Sequence, residues 1–289
     1  MILFTRFLCL ALLGLLSPLV SSAADVPFQT TLDVVYGDAS RPDRTLQSLD
    51  IYWKDNSRKR PVVVYLHDGG WAFGDKRDVH LKPRFFALHD MAFVSMNYRL
   101  RWEYTLYDQL TDLVAVVAWV KDNEARYGLD STRVVLMGHG AGAHIAAMVG
   151  TDPAYLASAG LSLANIRSVV SIDSASFDIV RLMEEQGSYI ERRRHRVVFG
   201  EDPAVWAASS PITHVAPGKG IPPFALLYVA DSPTTADQAR SFSRALRTAD
   251  VNVVMIPGND KTTQTIDQDL GSERDAPTLA LIAFIRATL

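Results

Sequence analysis

A chain of 289 residues, 48% of them hydrophobic and 21% charged, can build one large α/β domain and is too apolar to remain disordered. Its formal net charge of −3, without long runs of one sign, excludes the polybasic footprint of nucleic-acid binding. The single cysteine, Cys9, lies in the N-terminal stretch, so the rest of the chain can form no disulfide, Cys-ligated metal site or Cys nucleophile.

Residues 1–24, MILFTRFLCLALLGLLSPLVSSAA, carry one basic residue (Arg6), an apolar run from Phe7 to Val20 and then small residues. This is the pattern of a cleaved secretory signal peptide. The run is shorter than the roughly 20 residues that span a bilayer, so export to a secreted or periplasmic location is expected rather than stable membrane insertion.

Two stretches, TTLDVVYG (30–37) and QSLDIYW (47–53), read as antiparallel edge strands, and PVVVYLH (61–67) as a strand buried on both faces. MAFVSMNYRL (91–100) follows a short helical stretch. Leu110, Leu113, Val114, Val117 and Val120 then form one apolar helical stripe, which Gly128 ends. RVVLMG (133–138), IRSVVSID (166–173), FALLYVAD (224–231) and VNVVMIPG (251–258) are further strands separated by helical or mixed sequence, and APTLALIAFIRATL closes the chain as a helix. Strands alternating with helices predict an α/β fold, a mostly parallel twisted sheet with helices on both faces. Residues 25–289 read as one domain, with a small, charged cap insertion over about 177–215.

Ligands of an open α/β sheet bind beyond the carboxyl ends of the strands. HDGGWAFGDK (67–76) leaves such an end, and its consecutive glycines allow backbone N–H groups to converge on one point, as an oxyanion requires. RVVLMGHGAGAHIAAMVG (133–150) reads as strand, tight turn and helix. Its turn, Gly138-His139-Gly140-Ala141-Gly142, has the form of the G-x-S-x-G nucleophile elbow with glycine in place of the serine. No metal-ligand spacing is visible among His80, His89 and His214, and the His195 run ERRRHR reads as a solvated cap face. His67, His139 and His144 read as packing residues.

In His67, Gly69, Gly70, Trp71, Gly74 and Asp75, in NYRL (97–100), in the elbow and in SPITHVAPGKGIPPFALLYVAD (210–231), the chain resembles the secreted carboxylesterase and arylformamidase-like branch of the α/β-hydrolase fold. The resemblance covers nearly all of residues 30–289. It implies ester hydrolysis by a Ser–Asp–His triad without a cofactor, with an oxyanion hole from the N–H groups of Gly69, Gly70 and Ala141. It places Gly140 at the nucleophile position, Asp231 at the acid (Asp237 second) and Thr263 at the base. No histidine follows His214, so none stands after the acid. Asp68 departs from the pattern by replacing a glycine. The expectation is a secreted pseudoenzyme that binds a small ester-like or acyl ligand or a protein partner. An active carboxylic-ester hydrolase using a non-standard residue, with Ser174 and Ser176 as nearby hydroxyls, is the alternative, and a structural interaction protein is a third.

Overall fold

The computed structural model describes residues 28–37, 45–55 and 58–289; residues 1–24, expected from the sequence to be a signal peptide, lie outside them. Eight strands, β1 (Gln29–Val35), β2 (Ser48–Trp53), β3 (Arg60–Leu66), β4 (Ala92–Met96), β5 (Leu129–His139), β6 (Ile166–Ile172), β7 (Phe224–Val229) and β8 (Val253–Gly258), form one sheet in the order β1-β2-β4-β3-β5-β6-β7-β8. The first two pairings, β1 with β2 and β2 with β4, are antiparallel and all others parallel. β1 is thus an edge, but β2 is not. Its alternation resembles that of an edge strand, yet Leu49 and Ile51 are fully buried between β1 and β4.

The central strands are apolar on both faces because helices cover both. On β3, Val62, Val64 and Leu66 enter one core with the helices Leu106–Asp122 and Ala141–Thr151, while Val63 and Tyr65 enter the other with Phe86 and Ile285. All five residues of the predicted stripe on Leu106–Asp122 are buried. A capping box starts this helix: Thr105 Oγ1 accepts from Asp108 N–H and Asp108 Oδ2 accepts from Thr105 N–H. It stops at Asp122, ahead of Gly128, which instead closes the short helix Glu124–Tyr127.

The segment over about 177–215 folds into short helices, the longest Tyr189–Phe199. Among the described residues no helix is long and apolar enough to cross a membrane.

Candidate functional site

The β5 strand runs into the helix Ala141–Thr151 through a single residue, Gly140, at φ 50°, ψ −109°. Side chains rarely tolerate that backbone, and a non-glycine residue there stores about 1–3 kcal/mol of strain. Gly140 N–H donates to the Ile172 carbonyl at 2.9 Å, which ties the turn to the end of β6. Gly142 lets the helix lie against β3, since a Cβ there would overlap the Leu66 carbonyl. The turn therefore has the sharp strand-to-helix geometry of an elbow, without a side chain at its tip.

The space that a side chain on Gly140 would need is filled. An ideal Cβ would lie within 2.7 Å of all three terminal atoms of the Asp68 carboxylate. Asp68 Oδ1 accepts from Ala141 N–H at 2.8 Å and from Gly70 N–H at 3.3 Å. These are two of the three N–H groups expected to form an oxyanion hole. Burial pushes the Asp68 carboxyl up, but the His139 charge and the N–H groups of Ala141, Gly69 and Gly70 outweigh it and hold the group below the ordinary aspartate range. The side chain is an ionised carboxylate seated on backbone donors. The sequence marks Asp68 as a departure; that its carboxylate turns toward Ala141 is visible only in three dimensions.

The loop around it is rigidly held. Trp71 Nε1 donates to His144 Nδ1 at 3.2 Å, so His144 carries its proton on Nε2 and donates it to the Ser209 carbonyl at 2.7 Å. The Trp71 carbonyl accepts from Gln109 Nε2 and from Arg101 N–H, both at 2.8 Å. His67 is buried, stacked on Tyr98 at 4.4 Å, and its Nδ1 donates to the Asp68 carbonyl at 2.7 Å. The Nε2 atoms of His67 and His139 are buried without a hydrogen-bond partner among the described residues.

The other expected positions are not gathered at the elbow by any contact. Asp231, just beyond β7, and Thr263, beyond β8, are both exposed, and neither side chain makes a hydrogen bond or ion pair among the described residues. Asp237 pairs with Arg181 at 3.0 Å and bonds Gln186. The turn holding Thr263 is braced by Thr262 N–H donating to Thr265 Oγ1 at 2.8 Å and by Lys261 bridging Asp269 and Asp275 at 2.7 Å each. Among the described residues no group of three or more His, Cys, Asp or Glu is placed to hold a metal.

His195 departs from its reading as a solvated cap residue. It is 6% exposed, its Nδ1 donates to the Glu191 carbonyl at 2.8 Å, and Ser176 Oγ donates to its Nε2 at 2.8 Å. Burial holds its pKa below the ordinary histidine value, which favours the neutral imidazole. The ring packs with Phe199 against Trp71, at 5.6 and 5.1 Å from the indole. The signal was available in the sequence: His195, Val198 and Phe199 share one helical face, which the surrounding arginines mask. Ser174 Oγ accepts from Ser176 N–H at 3.3 Å, and both serines are buried.

A family model described as BD-FAE matches residues 49–246. Esterase LipQ of Mycobacterium tuberculosis is 28% identical over 234 residues, covering 76% of this chain and 53% of the relative. Isoprenylcysteine alpha-carbonyl methylesterase ICME of Arabidopsis thaliana is 26% identical over 285 residues, covering 90% and 62%. The chain spans only 53% and 62% of the length of these two relatives. Among solved structures, esterase B from Lactobacillus rhamnosis superposes with a TM-score of 0.73 at 21% identity, over 91% of this chain and 88% of that one. A truncated carbohydrate esterase from gut microbiota does so with a TM-score of 0.75 at 17% identity, over 92% and 98%. At such identities the likeness establishes the α/β-hydrolase fold.

Proposed function

This chain belongs to the BD-FAE family of carboxylesterase-like α/β-hydrolases, and we propose that it is a member without acyl-serine chemistry. In this reading it is an exported pseudoenzyme, with residues 1–24 as its signal peptide, that uses the inherited scaffold to bind a small ester-like or acyl ligand or a protein partner. The observation that carries the reading is the Asp68 carboxylate lying where a side chain on Gly140 would stand. Acyl transfer to an enzyme needs an activated nucleophile at the elbow, free donors for the carbonyl oxygen as it becomes an oxyanion, and a base. Gly140 has no side-chain atom, Asp68 engages Ala141 and Gly70 N–H, and Thr263 supplies no imidazole. A ligand carbonyl would therefore find the Ala141 and Gly70 N–H groups already engaged.

A fluorophosphonate probe tests this, because it labels serines activated by a base at hydrogen-bond distance. No stoichiometric adduct is expected by intact mass, while ester-like or acyl compounds should raise the melting temperature without being turned over. The Ser176–His195 bond supports a second reading, in which Ser176 is a hydroxyl activated by a neutral imidazole. A labelled Ser176 peptide, lost in His195→Ala, would establish that reading and refute the first.

A further inference from the structure

We propose that the cleft at the N-terminal ends of β3 and β5 binds a phosphate group carrying two or more negative charges. The cleft has a volume of about 270 Å³ and is lined by Arg58, Lys59, Arg60, Arg133 and Arg286. It lies at the edge of the sheet away from the elbow. Arg60 opens β3 and His67 directly follows its last residue, so about 20 Å of extended chain separates the cleft from the candidate functional site.

Five like charges around one cleft repel each other, and the chain compensates only some of them. Lys59 Nζ pairs with Glu124 at 2.9 Å and Arg133 Nε with Asp130 at 2.6 Å. Arg60, only 4% exposed, donates to the Tyr127 carbonyl at 2.9 Å and to the Arg58 carbonyl at 3.1 Å. Those bonds fix its guanidinium before any ligand arrives, which lowers the entropic cost of binding. The Arg58 and Arg286 side chains are exposed and make no hydrogen bond or ion pair among the described residues. Asp90 is the acidic side chain in the lining, and Lys54 lies 3.7 Å from it. Arg58 precedes β3, whereas Arg286 stands in the last turn of the helix Ala276–Thr288, so the two uncompensated charges reach one cleft from distant parts of the chain. Four of the five cations are arginines. A guanidinium presents paired N–H donors that match phosphate oxygens, whereas an ammonium is a point charge. The volume is just below the roughly 300–1,000 Å³ of pockets that enclose drug-sized ligands, and suits a phosphate group with little attached.

Sodium diphosphate is titrated calorimetrically into the full chain in a phosphate-free buffer of low ionic strength, with sodium acetate as the singly charged control. Saturable one-to-one binding of diphosphate is expected, and acetate should bind at least ~10-fold more weakly. The double variant Arg58→Ala/Arg286→Ala removes two exposed side chains that make no bond within the fold. It should bind diphosphate at least ~10-fold more weakly than the wild type, with an unchanged urea midpoint. No saturable binding by the wild type would overturn the proposal, and so would equal affinity in the double variant. A soluble compound and a lipid headgroup can carry the same phosphate chemistry. Co-sedimentation with vesicles of phosphatidic acid in phosphatidylcholine, abolished by diphosphate, would assign the site to a headgroup. Diphosphate binding without co-sedimentation would assign it to a soluble phosphate compound, and vesicle binding retained by the double variant would count against the site.

Discussion

Position 140 shows how a single atom decides both chemistry and packing. Gly140 adopts φ 50° without strain, and its missing Cβ admits the Asp68 carboxylate. Gly140→Ser alone should therefore be a poor repair. It would add about 1–3 kcal/mol of backbone strain and an overlap with Asp68 costing a further ~1–3 kcal/mol, both readable as a lower urea midpoint. Adding Thr263→His to it supplies a base but leaves the Asp68 side chain crowding the new serine. Hydrolysis should return only when Asp68→Gly joins the other two. The triple variant is expected to cleave a short-chain p-nitrophenyl ester at least ~100-fold faster than the Gly140→Ser/Thr263→His double, a small share of the ~10⁶ that an intact triad supplies. If the triple variant folds and is no faster, either Thr263 is not the base position or the exposed Asp231 does not reach an imidazole placed there.

At the scale of elements, the sheet was legible because its central strands are uninterrupted apolar runs, and the elbow because glycines cluster between such a run and a helix. Side-chain direction was not legible. Asp68 and Ala141 meet across two loops, and no local periodicity encodes that approach. The same limit hid the brace on the turn after β8. Lys82, fully buried at the start of the helix Lys82–Leu88, donates from Nζ to Asp267 Oδ2 at 2.8 Å and to the Asp267 carbonyl at 2.9 Å. Tyr65 on β3 donates to Asp267 Oδ1 at 2.8 Å. Burial lowers the Lys82 pKa, and the Asp267 charge opposes the change. Lys82→Met would leave Asp267 buried without its cation and should cost about 3–5 kcal/mol in equilibrium unfolding. Lys82→Met with Asp267→Asn should recover part of that loss. A single-variant loss below about 1 kcal/mol would mean that water already screens the pair.

Across the whole molecule, the loop after β3, the helix Ala141–Thr151 and the 177–215 segment meet at His144. Its ring accepts from Trp71 on one side and donates to Ser209 on the other, with Phe199 against its edge at 5.6 Å. The bond from Trp71 requires the neutral ring, because an imidazolium cannot accept from an indole N–H, whereas the bond to the Ser209 carbonyl can be donated by either form. Burial lowers the His144 pKa to about 4, with the Ser209 carbonyl opposing and His195 reinforcing the shift. The unfolded chain, with its histidine near 6.5, then binds more protons than the folded one between about pH 4 and 6.5, so stability falls as pH drops through that window. From pH 7 to pH 5 the share due to His144 is about 2 kcal/mol. His67 and His195, also lowered by burial, act in the same direction. His144→Gln offers a donor and an acceptor but no titration. Its urea-derived stability should be below the wild type at pH 7 and should lose about 2 kcal/mol less on going to pH 5. If variant and wild type lose the same amount, the junction of these three segments does not depend on an uncharged imidazole, and the acid sensitivity belongs to His67 and His195.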